Sequence, residues 1–263
     1  MKKISLFCAF LSFFSLFSQV LTIDRVSEND SITKKFRAYT ALSFSNEKQK
    51  KSLIDFTNKT EVYYFRKNNY FFGLLGQVDV AINGKTINEN NGFFQLRYRD
   101  NDTRKVSPDV FAQYQWNGIQ GMEHRLLFGA NARFKFFAEK RSDLFISIGV
   151  FHESERWNPN LTAYAFSKDS LTPVNRNMFR LNSMAKFALK FSKSVDVIGT
   201  TFVQFPLNNH FLSPRWFLDL NVNFTISNYW TFIIHYDHNF DAFRPLPIDN
   251  YYYATTMGIQ LKW

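Results

Sequence analysis

The last thirteen residues, Tyr251 to Trp263, alternate in character without a break. The odd positions are Tyr251, Tyr253, Thr255, Met257, Ile259, Leu261 and Trp263. The even positions are Tyr252, Ala254, Thr256, Gly258, Gln260 and Lys262. One set is largely apolar with aromatic ends; the other is small, polar or charged. Successive side chains leave a strand on opposite sides, so this period of two predicts a β-strand whose two faces meet different surroundings.

The same pattern recurs along the chain. About twelve alternating segments are expected near 36–46, 52–66, 69–83, 90–100, 107–118, 122–137, 142–156, 177–192, 195–208, 213–227, 229–241 and 251–263. The clearest sets Trp216, Leu218, Leu220, Val222, Phe224 and Ile226 against Phe217, Asp219, Asn221, Asn223, Thr225 and Ser227. The weakest is near 52–66, where Asn58 and Thr60 fall on the apolar side. Aromatic residues make up 19% of the chain, yet mean hydropathy is only -0.27. Each apolar side chain is thus followed by a polar one. No apolar run after the amino terminus approaches the roughly 20 residues of a membrane helix. A secreted β-sandwich would share this composition. The strand count and the terminal strand favour an all-β fold, a transmembrane antiparallel outer-membrane β-barrel with lipid outside and a polar lumen.

The amino terminus sets the compartment. Met1-Lys2-Lys3 is a basic start and Ile4 to Phe17 an apolar stretch, which predicts a signal peptide over 1–18, cleaved after Ser18. Residues 19–35 then form a short periplasmic segment and 36–263 a single barrel domain. Loss of Lys2 and Lys3 leaves 30 basic residues against 22 acidic ones, so the net charge falls from +10 to +8. Cys8, the only cysteine, lies in the signal, so the mature chain has neither disulfide nor thiolate chemistry. A basic, aromatic chain would also suit nucleic acid, but the signal peptide argues against that partner.

Two resemblances add to this reading. The terminal aromatic strand resembles the closing strand of outer-membrane barrels, the signal read by the barrel-assembly machinery. Met257, Ile259, Leu261 and Trp263 would carry it, with Trp263 at the periplasmic interface. The segments Leu74 to Asn83 with Gly84-Lys85-Thr86, Asn91-Gly92-Phe93 to Arg97-Tyr98, Ala112-Gln113-Tyr114-Gln115, Leu126 to Ala130 and Gly149-Val150-Phe151 are similar to a bacterial outer-membrane family. That family is filed as domain of unknown function 481, and some members are called salt-induced outer-membrane proteins. The resemblance implies location and fold, and no established activity.

Strand parity fills the lumen. Phe71, Leu75, Phe111, Leu127, Phe145, Phe151, Phe202 and Phe217 point inward and would narrow the bore. Inward charges pair across strands: Arg125 and Arg180 with Glu153 and Glu155, and Lys135 with Asp109 and Asp143. Asp79, Asp219 and Asp237 have no obvious basic neighbour and map to the outer half, so they are candidates for an acidic mouth that admits cations.

His152 and Ser154 lie two apart on the outward face near the external strand end. The pair resembles the His-x-Ser of outer-membrane phospholipase A and the lipid A deacylases, which would imply acyl-ester hydrolysis at the outer leaflet. Catalysis also needs a group to orient the histidine, and none is evident. The alternative is two polar residues at headgroup level. His235 and His238 have opposite phases and cannot share one metal, so neither metal nor other cofactor is expected.

Three functions follow. The first is a barrel without catalysis, serving envelope structure, assembly or stress adaptation. The second is a narrow passive pore for ions or small polar solutes, and the third the lipid acyl hydrolase. The expected partners are outer-membrane lipid and, during biogenesis, the assembly machinery. The pattern specifies no oligomeric state.

Overall fold

Among the described residues, twelve strands follow one another in sequence order, each antiparallel to the next: β1 Phe36–Lys48, β2 Ser52–Phe65, β3 Tyr70–Asn83, β4 Thr86–Asp100, β5 Val106–Asn117, β6 Met122–Ala138, β7 Ser142–Trp157, β8 Val174–Lys190, β9 Val195–Pro206, β10 Arg215–Thr225, β11 Trp230–Asp241 and β12 Tyr251–Leu261. The computed structural model describes residues 35–48, 52–65, 70–84, 86–100, 105–138, 141–161, 172–227 and 230–261. The expected signal peptide, nearly all of the 19–35 segment, and Trp263 lie outside them. Among the described residues there is no helix, and no ladder joins β1 to β12.

The segments expected from alternation match these strands within a few residues. The largest difference is at β4, which starts at Thr86 rather than near 90. A register shift beside Ala81 and Ile82 lets the polar run before Asn91 stay paired, so Ile87 breaks parity and projects outward, 62% exposed. Short links hold the register. Asn83-Gly84 turns β3 into β4, with Gly84 at a φ of 65° that a side chain would resist. Between β5 and β6, the Gly121 amide donates to the Gly118 carbonyl at 3.1 Å.

The sheet curls so that its two faces differ sharply. On the concave face, charged and amide side chains are buried: Arg125, Glu153 and Arg180 are all at 0% exposure. On the convex face, Leu96, Phe128, Phe179 and Met257 each stand more than half exposed. The curl is tight enough to join non-adjacent strands. Asn182 on β8 donates to Asn131 on β6 at 3.1 Å, across β7. The residue beneath that bond is Gly149, paired with both asparagines; a Cβ there would collide with Asn131 and the Ala130 carbonyl.

Candidate functional site

The concave face is the site, and it is layered. At the β6–β11 ends nearest the 242–250 link, parity turns seven charged side chains inward: Arg125 on β6, Glu153 and Glu155 on β7, Arg176 and Arg180 on β8, Arg215 on β10 and Asp241 on β11. Glu153 is the hub. Its carboxylate takes Arg125 at 3.0 Å, Arg180 at 2.5 Å and Arg215 at 2.8 Å. Glu155 takes Arg125 at 3.3 Å and Arg176 at 3.1 Å, and accepts the Trp157 indole N–H. Arg215 also reaches Asp241 at 2.9 Å. Burying ions in this way costs desolvation, which only dense pairing offsets.

A strap covers this layer. The link from β11 to β12 carries Pro245 and Pro247, which stiffen it, and the Ile248 amide bonds the Leu246 carbonyl at 2.8 Å. Leu246 and Ile248 are buried against Met122 and Trp157, at the ends of β6 and β7. Arg244 donates to Gln120 in the β5–β6 turn at 3.1 Å, and Arg176 donates to the Phe243 carbonyl at 2.5 Å. A segment between the last two strands therefore rests on the middle of the sheet.

Below lies an apolar layer. Phe111, Leu127, Phe151, Met184, Phe202 and Phe217 form one buried cluster across β5 to β10. Tyr63, Phe65, Phe71 and Leu75 form another on β2 and β3, with the Tyr63 hydroxyl donating to Glu61 at 2.7 Å. All eight aromatic and leucine side chains expected inward are buried.

The ion pairs of Arg125 and Arg180 with Glu153, and of Arg125 with Glu155, form as sequence parity expects. The Lys135 pairs do not. Asp109 stands opposite Asn131 rather than Lys135, and it takes Arg97 at 2.9 Å and Arg99 at 3.5 Å from β4. A register shift between Lys135 and Phe137 sets Asp143 opposite Ala138, and Lys135 is exposed.

The three candidate mouth acids also need correction. Asp219 has a basic neighbour: His235 Nε2 lies 2.9 Å from it, and Asn221 donates to it at 2.7 Å. Asp237 stands directly opposite Asp219 in the ladder. Asp79 is buried on β3 and accepts from Gln77 at 2.8 Å on its own strand. The structure thus groups Asp219, His235 and Asp237, and leaves Asp79 on a separate strand pair. His235 shares the inward phase of Asp237, so parity held the signal; its partner required the register. Among the described residues, no group of three or more His, Cys, Asp or Glu is arranged to hold a metal. His238 is outward, its ring 4.9 Å from that of Trp216.

His152 and Ser154 face outward, as expected. His152 lies between Phe128 and Phe179 and sets its ring edge-on to Phe179, centroids 5.0 Å apart. Ser154 lies between Leu126 and Asn177. His124 is opposite Arg156, which pairs with Glu123 at 2.9 Å. The geometry thus sets His152 between two aromatic rings, with the Asn177 amide opposite Ser154 on the same face. On β12, Tyr251, Tyr253 and Met257 are exposed on the convex face, while Ile259 and Leu261 pair with Phe232 and Trp230.

No family model matches the chain, and no curated protein matches it. Among solved structures it is similar to the NanC porin in a rhombohedral crystal form, at 11% identity and a TM-score of 0.46. That likeness covers 87% of this chain and 98% of the porin.

Proposed function

We propose that this chain is an outer-membrane β-barrel, closed by pairing β12 with β1, that serves the envelope as a structural or assembly component. The observation that carries the reading is the division of faces: apolar side chains exposed on the convex side, buried ions and amides on the concave side. A lipid exterior around an interior that carries buried ions suits that division. Membership of the family of domain of unknown function 481 belongs to the same reading and rests on the strand motifs. The interior favours a wall over a wide channel, because the ion layer, the strap and the aromatic layer occupy the β5–β10 side. The test is migration on gels from purified outer membranes: a barrel runs differently boiled and unboiled, whereas a soluble sandwich runs identically.

A narrow passive pore is the second reading, and one wall favours it. On β10 and β11 the inward Asp219, Asn221, Asn223 and His235 are only half-buried, unlike their counterparts on β6 and β7. Planar-bilayer recording separates the two readings. Discrete openings support the pore, and silence of the intact protein supports the structural role.

A further inference from the structure

We propose that the ion layer holds a bound monovalent anion of the chloride class, taken by the guanidinium fork of Arg180. Arg180 meets Glu153 through Nε alone, at 2.5 Å. Among the described residues its other two nitrogens, Nη1 and Nη2, have no hydrogen-bond partner, although the side chain is fully buried. The carboxylates of the layer are already engaged. Glu153 Oε1 takes Arg125 at 3.0 Å and Arg215 at 2.8 Å. Glu155 Oε1 takes Arg125 and Arg176, and its Oε2 accepts the Trp157 indole. Asp241 Oδ2 takes Arg215 at 2.9 Å, and its Oδ1 accepts the Phe243 amide at 3.1 Å.

The strands on either side offer the fork no acceptor side chain. In the ladders Arg180 stands between Phe151 on β7 and Pro206 on β9. The next residue of β8 on the same face is Asn182. Its amide oxygen accepts from Gln204 at 3.4 Å, and its nitrogen donates to Asn131 at 3.1 Å. Charged N–H groups buried without an acceptor cost more than the net gain of several ordinary hydrogen bonds. A ligand that accepts from both Nη groups removes that cost.

Charge balance identifies the ligand. The layer sets four guanidinium groups, Arg125, Arg176, Arg180 and Arg215, against three carboxylates, Glu153, Glu155 and Asp241. One positive charge is in excess among these inward side chains, and one negative charge closes the balance. A dianion would overshoot it and would cost more to strip of water. The fork lies between the strap and the aromatic layer, so an ion without a carbon body suits it. The inference concerns the wall itself and holds for a structural barrel and a pore alike.

The experiment uses the full chain extracted in detergent and exchanged into gluconate salts. Thermal unfolding, read as loss of β-type circular dichroism, is followed as chloride replaces gluconate at constant ionic strength. The expected result is a midpoint that rises with chloride and saturates, with bromide acting alike. Arg180→Met balances the layer's charges and should weaken the response about tenfold in chloride concentration. Arg156→Met, on the convex face, should keep the full response. Equal midpoints in chloride and gluconate, a full response in Arg180→Met, or equal losses in both variants would overturn the proposal. Should Arg180→Met fail to fold, anomalous scattering from bromide in crystals of the unsubstituted protein decides. A peak within hydrogen-bond reach of the Arg180 Nη atoms supports the site, and no peak there refutes it.

Discussion

Arg215 on β10 donates to Glu153 on β7 at 2.8 Å, although β8 and β9 lie between their strands. Adjacent strands are about 4.8 Å apart, so a flat sheet would hold these strands roughly 14 Å apart. The ion pair is therefore a direct report of curvature, and the network around Glu153 holds three strands to one carboxylate.

Removing that carboxylate should be severe. Glu153→Gln leaves Arg125, Arg180 and Arg215 buried with one fewer counter-charge, at a cost of about 3–5 kcal/mol. Glu123→Gln, whose pair with Arg156 is well exposed, should change stability by less than about 0.5 kcal/mol. Urea unfolding in detergent, followed by gel mobility, compares the two.

His152→Phe should be tolerated within about 0.5 kcal/mol, since the ring already packs against Phe179 on an apolar face. Ser154→Ala should be equally mild. Assays of purified protein on phospholipid and lipopolysaccharide should detect no hydrolysis that depends on Ser154. Acyl release lost on changing Ser154 alone would establish the hydrolase.

Ile248→Asp places a carboxylate against Met122 and Trp157 and should release the strap. In intact cells a broad-specificity protease should then cut between Ala242 and Asn250, where the unsubstituted protein resists. Bilayer recording of the same variant adds a second readout: new openings would mean the strap is what closes the lumen.

Met257→Arg sets a charge on the convex face, in the belt assigned to lipid. It should lower stability by roughly 2–4 kcal/mol and reduce the assembled form in membranes. A chain folded in water would accept arginine at this exposed position without loss.

Strand existence was legible because a period of two is visible wherever one face is apolar. Register was not legible from turn length alone, since the β5–β6 turn is tight and Asp109 still stands opposite Asn131 rather than Lys135. Arg125 and Glu153 were found by parity on neighbouring strands, whereas Asp109 was matched to Lys135 although Arg97 and Arg99 hold it from the other side. Bulges beside Ile82 and Lys135 shift the pattern by one residue with no residue type to announce them. Arg215 with Glu153, and Leu246 with Met122, depend on curvature, which arises from the whole sheet and has no local signature.

The strap also sets an order of events. Every ladder in this sheet joins neighbours in the chain, so the hairpins have short closures and could zip in sequence. The strap reaches farther: Leu246 and Ile248 find their pocket only once the β6 and β7 ends, more than eighty residues upstream, are in place. The final hairpin is thereby tested against the middle of the sheet as it docks. A chain with a misregistered β6 or β7 would reach its last strand with nowhere to seat Ile248, and would leave that apolar segment open to degradation.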